Sequence, residues 1–458
     1  MLEKTFDVVV LGGGSGGYAA ALRSAQLGRT VALIEKDKLG GTCLHRGCIP
    51  TKALLHAGEV ADTTRAASRY GVGAAFTGID MTGVLGYLQG VVEKNWKGLD
   101  GLIRSRGIEV VDGVGRLVGP TSVRVGDTVY TGTDAVLATG SRPRSLSGIG
   151  VDGDRILTSE HALALTDLPD SAVVLGGGVI GCEFASAWHS LGVEVTVVEA
   201  LPRLVPLEDE ASSRLLERAF RRRGIQTRLG LRVGGVDAAA DGVRVTLTDG
   251  TALEADVVLV AIGREAVVDD LGYEQQGVLL DRGTVVADEF CRTAVPHLYA
   301  VGDLLPTLQL AHVGFAEGIL AAEHAAGLDV TPIDYPGVPR VTYSSPEVAS
   351  VGLTETQARE RYGDGVGTVS YDLSGNGKSA ILGTQGAVKL VAAPDGTVVG
   401  AHIVGDRVGE LIAEAQLIVN WQAVAEDVAS LVHPHPTQGE AIGEAHLLLA
   451  GRPLHVHE

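Results

Sequence analysis

Two cysteines, Cys43 and Cys48, lie five positions apart in the glycine-rich segment GGTCLHRGCIPTK at residues 40–52. Two such thiols can form and break a disulfide, and the nearby His45 and Arg46 favour the reactive thiolate. Zinc binding is one alternative, but the spacing is not C-x-x-C and no second such pair completes a set of four ligands. Two buried thiols without a chemical role are the other alternative. The segment is interpreted as a redox-active dithiol, and no metal site is predicted.

A strand, a tight turn, a helix and a second strand are predicted before the cysteine segment. The strands are indicated by β-branched runs at residues 6–11 and 30–34, and the helix by an Ala/Leu-rich run at 18–26. This order of elements is typical of the first half of a nucleotide-binding α/β domain.

The turn contains Gly12, Gly14 and Gly17 in the pattern G-x-G-x-x-G, and Glu35 follows the second strand. In such a turn the first glycine permits the sharp bend, the second lets the backbone approach a pyrophosphate, and the third lets the helix pack on the strand. Glu35 can accept hydrogen bonds from ribose hydroxyls, while the helix N-terminus attracts the anion. One such pattern alone is a weak signal, since similar turns occur without a ligand.

The same pattern recurs 164 residues later, with Gly176, Gly178 and Gly181 in the turn and Glu199 after the next strand. The first glycine and the acid are 23 residues apart in both copies. Because coincidental turns would rarely reproduce this spacing, two dinucleotide sites are predicted.

The remaining pattern predicts the fold class, α/β with two Rossmann-like dinucleotide-binding domains plus a C-terminal α+β dimerisation domain. A strand followed by glycine recurs at 134–140 and 256–263, and a strand at 297–301 with a helix at about 312–326 returns to complete the first domain. From Pro339 onwards, strands and helices alternate irregularly. The predicted boundaries are 1–145 for the first domain, completed by about 265–335, then 146–264 for the second and 336–458 for the third.

Composition excludes several classes of partner. The chain has 458 residues and a formal net charge of −19, whereas nucleic-acid binding needs a concentrated basic face. No run approaches the roughly 18 apolar residues of a membrane span, and the N-terminus leads into a strand without a signal-peptide pattern. Four cysteines are too few for a secreted disulfide framework. We therefore expect a cytoplasmic protein that binds neither nucleic acid nor membrane.

The segment around Cys43 and Cys48 resembles the active-site segment of the pyridine nucleotide–disulfide oxidoreductases, most nearly that of the dihydrolipoamide dehydrogenases. Further motifs of this family occur in order along the whole chain. They are ATGSRP at 138–143, GGGVIGCEFA at 176–185, YAVGD at 299–303, LAH at 310–312, YSSPEVASVGLTE at 343–355 and HPHPTQGE at 433–440. One departure is the segment from Glu265 to Val268, which replaces the usual Pro-Asn and affects the expected flavin contacts.

The resemblance implies roles for the matched residues. Cys43 would exchange with the substrate and Cys48 would lie against the flavin, while Lys52 and Glu183 would form an ion pair near the reactive flavin nitrogen. Because the cysteines follow the first turn, FAD is expected there and NAD at the second turn. The other implied cofactor-binding residues are Asp303, as ligand of the ribityl chain, and Thr42, Gly140, Gly263, Leu310, Ala311 and His312.

By the same resemblance, His435 is the catalytic base and Glu440 its orienting partner, delivered from the other subunit of a homodimer. The chemistry calls for such a pair, because disulfide exchange needs a thiolate and therefore a base near neutral pKa. A neighbouring carboxylate would set the tautomer of the imidazole. The alternatives are a surface loop or, together with His433, an adventitious metal site.

Glu199 bears on the choice of coenzyme, because a carboxylate accepts a 2′-hydroxyl and repels a 2′-phosphate, so NAD is favoured although Arg203 lies nearby. The implied function is oxidation of protein-bound dihydrolipoamide to lipoamide through a Cys43–Cys48 disulfide and FAD, with reduction of NAD to NADH. The implied partners are the lipoyl domain and core acyltransferase of a 2-oxoacid dehydrogenase complex, or a glycine-cleavage system. The alternatives are an NADPH-dependent reductase of another small disulfide, of the glutathione or mycothione type, and a non-catalytic docking subunit.

Overall fold

The computed structural model describes residues 2–239 and 241–456. Packing divides the chain into two units, each assembled from three segments. The first unit comprises Met1–Ala53, Thr82–Arg144 and Gly263–Tyr335, and the second comprises Leu54–Met81, Ser145–Ile262 and Pro336–Glu458. The three-domain boundaries inferred from sequence stay a prediction. No helix within the described residues is both long enough and apolar enough to cross a membrane.

The first three elements of the chain are the strand, helix and strand that the sequence predicts. The segments 8–11 and 31–34 are buried and apolar, as strands of a parallel sheet covered on both faces must be. The elements are β1 (Leu2–Leu11), α1 (Ser15–Gln26), β2 (Val31–Glu35), α2 (Gly41–Arg46), α3 (Cys48–Ala66), α4 (Met81–Ser105), β3 (Glu109–Asp112), β4 (Arg116–Gly119), β5 (Ser122–Val125), β6 (Thr128–Leu137) and β7 (Ser141–Pro143).

Residues 145–262 repeat this arrangement in the second unit. The elements are β8 (Ile156–Leu157), α5 (Ser159–Ala162), β9 (Ser171–Leu175), α6 (Val179–Leu191), β10 (Glu194–Glu199), α7 (Glu210–Arg223), β11 (Gln226–Leu229), β12 (Val233–Ala239), β13 (Gly242–Leu247), β14 (Ala252–Ala255) and β15 (Val257–Val260). A parallel sheet has the order β11-β10-β9-β15-β8, and β12-β13-β14 form a separate antiparallel sheet.

Residues 263–335 return to the first unit. The elements are β16 (Arg264–Ala266), β17 (Leu280–Asp281), β18 (Thr284–Val285), β19 (Leu298–Ala300) and α8 (Ala311–Ala325). The first sheet has the order β3-β2-β1-β6-β5-β4, with β19 also parallel to β6. Helix α8 packs on α1, where a Cβ on Gly318 would lie 2.3 Å from the carbonyl oxygen of Gly16, so glycine permits this contact. Both β19 and α8 lie in the first unit.

Residues 336–456 form the predicted α+β region. The elements are β20 (Arg340–Thr342), β21 (Glu347–Gly352), α9 (Glu355–Tyr362), β22 (Gly367–Asp372), α10 (Gly377–Leu382), β23 (Ala387–Ala392), β24 (Val398–Gly405), α11 (Val408–Asn420), α12 (Ala425–Ala429) and α13 (Glu440–Leu449). The antiparallel sheet has the order β20-β21-β24-β23-β22, and α11 and α13 pack on it around Ile403, Ile412 and Ile442.

Candidate active site

The first glycine turn, between β1 and α1, has the geometry of a dinucleotide site. Gly12 has a φ of +107°, and a Cβ on it would lie 2.2 Å from the carbonyl oxygen of Ala138. A Cβ on Gly17 would lie 1.8 Å from the carbonyl oxygen of Gly12, so only glycine allows α1 to pack here. A Cβ on Gly14 would have one neighbour within reach, the Cα of Gly41 at 4.0 Å. A pyrophosphate can therefore approach the backbone at the N-terminus of α1, which has no side-chain cap.

The second glycine turn, between β9 and α6, repeats this geometry closely. Gly176 has a φ of +108°, and a Cβ on it would lie 2.4 Å from the carbonyl oxygen of Ala261. A Cβ on Gly181 would lie 1.8 Å from the carbonyl oxygen of Gly176, whereas a Cβ on Gly178 would meet no atom within 4 Å. The open side of this turn also faces an uncapped helix N-terminus, that of α6. Both turns therefore fit the pyrophosphate of a dinucleotide.

The acid at the end of each second strand is fixed by its own turn. Glu35 Oε2 accepts a hydrogen bond from Gly13 N–H at 2.6 Å, and its Oε1 accepts one from the N–H two residues further on at 2.9 Å. Glu199 does the same, with Gly177 N–H at 2.6 Å and the N–H two residues further on at 2.7 Å. Each oxygen keeps a further lone pair, so both acids can still accept ribose hydroxyls.

Arg203, the cation closest in sequence to Glu199, is anchored on its own loop. Its Nη2 donates to the carbonyl oxygen of Pro206 at 2.8 Å and lies 3.5 Å from the carbonyl oxygen of Glu208. These contacts hold the guanidinium on the loop backbone. The geometry therefore supports a free 2′-hydroxyl, rather than a 2′-phosphate, beside Glu199.

The cysteine segment lies against the first glycine turn. A Cβ on Gly41 would lie 2.6 Å from Gly14 Cα, so two glycines bring the start of α2, with Thr42, close to the pyrophosphate position. Cys43 lies in α2 and Cys48 begins α3. Both cysteines are half-buried.

The two thiols interact directly. Hydrogen bonding to Cys48, together with burial, raises the pKa of the Cys43 thiol far above its usual range, whereas the Lys52 ammonium acts to lower it. These interactions disfavour a thiolate on Cys43 in the reduced pair. Thiol–disulfide exchange needs an attacking thiolate, so a base near this site is required.

The residues between the cysteines make other contacts. His45 Nε2 lies 2.9 Å from a backbone carbonyl oxygen, and Arg46 Nη2 lies 2.8 Å from Asp37 Oδ2. Arg46 is therefore neutralised by an acid of the preceding loop. The cation that lowers the pKa of Cys43 is Lys52.

Asp303 is held from two sides on the turn after β19. Ser141 Oγ donates to its carboxylate, and Arg264 Nε donates to Ser141 Oγ at 2.7 Å and lies 3.8 Å from Asp303 Oδ2. The preceding N–H, that of Gly302, donates at 2.6 Å to the fully buried carboxylate of Glu317. Sequence reasoning missed Ser141, Arg264 and Glu317, although the first two each follow a glycine that it selected.

The other predicted flavin contacts border the same region of the first unit. Gly140 and Gly263 have φ values of +70° and +112°, and a Cβ on either would meet no atom within 4 Å. Leu310 precedes α8, and Ala311 and His312 are its first two residues. The roles of these five residues toward FAD stay a prediction.

The segment that departs from the family pattern forms part of a short ribbon, in which β16 pairs with β7. Arg142 Nε lies 2.7 Å from Glu265 Oε1, and its Nη2 lies 2.7 Å from Asp269 Oδ2. Val267 N–H donates to the carbonyl oxygen of Gly140 at 2.9 Å. The replacement of Pro-Asn thus supplies an ion pair and a strand that hold the ribbon together.

Lys52 and Glu183, the predicted ion pair, lie in different units. Lys52 lies in α3, and Glu183 is a buried residue of α6 whose Oε1 accepts a hydrogen bond from Tyr343 N–H at 3.0 Å. Their pairing beside a flavin stays a prediction.

His435 and Glu440 form a hydrogen-bonded pair in the second unit. His435 Nδ1 lies 2.8 Å from Glu440 Oε1, while Thr437 N–H donates to Glu440 Oε2 at 2.8 Å. Burial acts to raise the pKa of Glu440, but the bonds from Thr437 and His435 outweigh it and lower that pKa. The charged carboxylate therefore keeps the proton on Nδ1 and leaves Nε2 as the basic atom. The imidazole is 76% exposed in the single chain, and its role as the base stays a prediction.

Several of the other cysteines and histidines are paired or buried. His433 Nε2 pairs with Glu414 Oε1 at 2.8 Å, and Cys182 and Cys291 are buried, which raises the pKa of both thiols. In the part of the chain that the structure describes, no group of three or more His, Cys, Asp or Glu side chains is placed to hold a metal ion.

An apolar groove of about 280 Å³ lies between α1 and α8. Tyr18 stacks at a tilt on Phe315, with ring centroids 5.5 Å apart, and burial together with the Cys43 charge raises the pKa of Tyr18 to about 12. The cation of the groove, Arg23, is paired with Glu323 at 2.6 Å. Sequence reasoning missed this groove, which is lined by Tyr18, Ala19, Leu22, Arg23, Gln26, Phe315 and Ile319.

Comparisons with known proteins agree with this geometry. The pyridine nucleotide-disulphide oxidoreductase family matches residues 6–318, and its dimerisation domain matches residues 338–446. A dihydrolipoyl dehydrogenase of Bacillus subtilis is 42% identical over 99% of this chain and 100% of its own length. The mitochondrial dihydrolipoyl dehydrogenase of Pisum sativum is 38% identical over 98% of this chain and 92% of its own length. The crystal structure of LpdA from Mycobacterium tuberculosis superposes with a TM-score of 0.90 at 29% identity, covering 98% of this chain and 100% of that one.

Proposed function

Because the chain belongs to the pyridine nucleotide-disulphide oxidoreductase family, we propose that it oxidises protein-bound dihydrolipoamide to lipoamide and reduces NAD to NADH. It is an oxidoreductase whose cofactors are FAD and NAD. In the balanced reaction, dihydrolipoamide and NAD⁺ yield lipoamide, NADH and one proton.

The choice of substrate rests on the apolar groove between α1 and α8, one of whose lining residues, Tyr18, is close enough to Cys43 to interact with it electrostatically. A lipoyl group is a dithiolane on an uncharged alkyl chain, so its burial in this groove is favourable. Glutathione disulfide carries several charges, which need charged or polar partners when they leave water. The cation of the groove, Arg23, already pairs with Glu323, which favours the lipoyl chain over a reductase substrate of the glutathione or mycothione type.

In the proposed cycle, Cys43 and Cys48 begin as a disulfide. His435 removes the proton from one thiol of dihydrolipoamide. The resulting thiolate attacks Cys43 and releases Cys48 as a thiolate. The second substrate sulfur then attacks the first, which breaks the mixed disulfide, forms lipoamide and leaves Cys43 as a thiol. The electron pair and one proton thus reach the cysteines, and the other proton stays on His435. Glu440 stabilises the resulting imidazolium.

FAD is assigned to the first glycine turn, because the cysteine segment packs against that turn at Gly14 and Gly41. Bound FAD supplies the route by which the electron pair leaves the cysteines and reaches NAD. Asp303 is directed by Ser141 and is the ligand assigned to the ribityl chain. NAD is assigned to the second turn, beside Glu199.

The direct test is formation of NADH from NAD and dihydrolipoamide, followed by absorbance. Ile319→Arg places a charge in the groove, and because Ile319 is 42% exposed the side chain can be accommodated without unfolding. We expect KM for dihydrolipoamide to rise roughly tenfold or more, since desolvating a charge opposes binding of an alkyl chain. Oxidation of NADH by ferricyanide, which bypasses the disulfide, should not change.

The matched control is Leu328→Arg, because Leu328 is 45% exposed in the same unit and does not line the groove. It should leave KM for dihydrolipoamide unchanged. An equal KM for dihydrolipoamide in the two variants would show that the groove does not bind the substrate. Rapid NADPH-dependent reduction of glutathione disulfide with no oxidation of dihydrolipoamide would contradict the function itself.

The match to a dimerisation domain supports a homodimer. We propose that His435 and Glu440 of one protomer complete the site of Cys43 and Cys48 in its partner. The test mixes two variants, Cys48→Ser and His435→Gln, each of which is inactive alone. Activity should return when they exchange subunits, because one of the two sites in a heterodimer then carries neither change. Purified heterodimers that remain inactive would show that each site lies within one protomer.

The remaining partners follow from the protein-bound substrate. We propose that the chain is cytoplasmic and docks with the lipoyl domain and core acyltransferase of a 2-oxoacid dehydrogenase complex, or serves a glycine-cleavage system. The small number of cysteines is consistent with a reducing compartment. Cell fractionation, and binding of the purified chain to a lipoylated domain and to the acyltransferase core, test these two parts separately.

A further inference from the structure

Asn376 belongs to no motif that the sequence reasoning selected, yet it is 4% exposed and touches the loop that carries His435. Its Nδ2 donates to the carbonyl oxygen of Thr437 at 2.9 Å. Its Oδ1 accepts from Ser379 N–H at 2.9 Å and from Ser379 Oγ at 3.0 Å, which caps α10. The amide nitrogen of Asn376 thus binds the loop that carries His435, whereas the amide oxygen caps α10.

Thr437 is held at three points. Its carbonyl oxygen accepts from Asn376, its N–H donates to Glu440 Oε2 at 2.8 Å, and its Oγ1 donates to the carbonyl oxygen of Pro434 at 2.7 Å. The other oxygen of Glu440 accepts from His435 Nδ1 at 2.8 Å. A continuous chain of hydrogen bonds therefore leads from buried Asn376 to the exposed imidazole.

Within its own chain, the imidazole is directed by the bond from Nδ1 to Glu440, and the position of Glu440 depends on Thr437. The residue after Asn376 also faces the ring, since a Cβ on Gly377 would lie 3.9 Å from His435 Cε1. A small displacement of a catalytic base can lower a reaction rate severely, so the anchoring of this loop bears on chemistry.

We propose that Asn376 is a positioning residue for thiol–disulfide exchange, in that its Nδ2 holds Thr437, and thereby Glu440, where His435 Nε2 meets the substrate thiol. This inference rests on the proposed role of His435 as the base. Asn376 itself touches neither substrate nor cysteine in this scheme. Its effect passes entirely through the Thr437 peptide.

The test is Asn376→Asp, which keeps the shape of the side chain and the oxygen that caps α10, because Asp and Asn are equally good caps. The variant loses the donor to Thr437 and sets a carboxylate oxygen against the Thr437 carbonyl oxygen. We expect kcat for oxidation of dihydrolipoamide to fall roughly tenfold or more, with a smaller change in KM. Reduction of ferricyanide by NADH, which does not use the base, should be unchanged, whereas the thermal midpoint should fall because the new carboxylate is buried against a carbonyl oxygen.

The matched control is Ser379→Ala, which removes a hydrogen bond to Asn376 Oδ1 but leaves the bond to Thr437. It should retain the kcat of the parent enzyme. If Asn376→Asp fails to fold, Asn376→Ser provides the second variant, because serine still caps a helix but is too short to reach Thr437.

Three results decide the inference. Full activity in Asn376→Asp, or an equal loss in Ser379→Ala, would overturn the positioning role. A parallel loss of ferricyanide reduction would also overturn it, because the effect would then be general and structural. If His435→Gln itself kept full activity with dihydrolipoamide, the proposed base would be wrong, and that failure is distinct from failure of Asn376 alone.

Discussion

Replacing Glu199 by alanine should reduce the preference of the enzyme for NAD over NADP. Glu199 is 8% exposed, and its two oxygens accept backbone hydrogen bonds from Gly177 at 2.6 Å and Leu201 at 2.7 Å. These bonds hold the carboxylate at the edge of the second glycine turn, where it can accept a ribose 2′-hydroxyl and repel a 2′-phosphate. Alanine removes both effects, so we expect kcat/KM for the two coenzymes, measured with dihydrolipoamide, to converge.

The expected size follows from the interactions removed. A hydrogen bond to a charged group contributes about 1.5–3 kcal/mol, and each tenfold change in kcat/KM corresponds to about 1.4 kcal/mol. Loss of one ribose bond and of the repulsion therefore predicts a fall of about 10²-fold in the NAD:NADP ratio. Two backbone N–H groups also lose their acceptor, so the turn should lose some stability, which urea unfolding measures separately.

Glu35→Ala is the matched control, because Glu35 makes the equivalent bonds in the first turn, at 2.6 and 2.9 Å. It should weaken retention of FAD, measured by flavin absorbance, and leave the NAD:NADP ratio unchanged once FAD content is matched. An unaltered ratio in Glu199→Ala would refute the coenzyme argument. A shifted ratio in Glu35→Ala would refute the assignment of FAD to the first turn.

Lys52→Met should slow alkylation of Cys43 by iodoacetamide and move its pH dependence upward, because loss of the ammonium further raises the pKa of that thiol; an unchanged pH dependence would contradict this. Lys389→Met should lower the free energy of unfolding by about 3–5 kcal/mol, because buried Lys389 Nζ lies 2.9 Å from Asp209, whereas the exposed Lys97→Met should change it by about 1 kcal/mol or less. Burial acts to raise the pKa of Asp209, but Lys389 and backbone donors outweigh it and lower that pKa. The stabilisation is therefore fully present above the carboxyl pKa of the unfolded chain and is lost as the pH falls through the lower pKa of the folded state. Equal destabilisation by the two lysine changes would contradict the prediction.

The amino-acid sequence alone was sufficient to locate the two dinucleotide turns and the cysteine pair. The reason is that their geometry is local. Gly12 takes the positive φ of the sharp turn, Gly17 packs on the carbonyl oxygen of Gly12, and Glu35 bonds to the turn that begins the same unit. Such requirements appear directly as residue types at fixed spacing, so the pattern and its second copy predicted the fold class and indicated which acids would lie beside each turn.

The residues that hold these groups in place were decided by tertiary structure. Ser141, Arg264 and Glu317 meet around the Gly302–Asp303 turn from separate segments of the chain. Nothing in their local spacing indicates this meeting, because a buried hydrogen bond between distant segments depends on how strands and helices pack.

The groove between α1 and α8 and the contact of Asn376 with the loop of His435 depend on packing in the same way. Tyr18 and Phe315 lie on helices far apart in sequence, and each alone is typical of an ordinary core-facing residue. Asn376 gains its contact with Thr437 because α10 and the loop before α13 are brought together by the antiparallel sheet. Sequence therefore determined which chemistry the chain can perform, since that depends on residue types and local turns. Tertiary structure determined which side chains direct the reacting groups, since long-range contacts have no local signature.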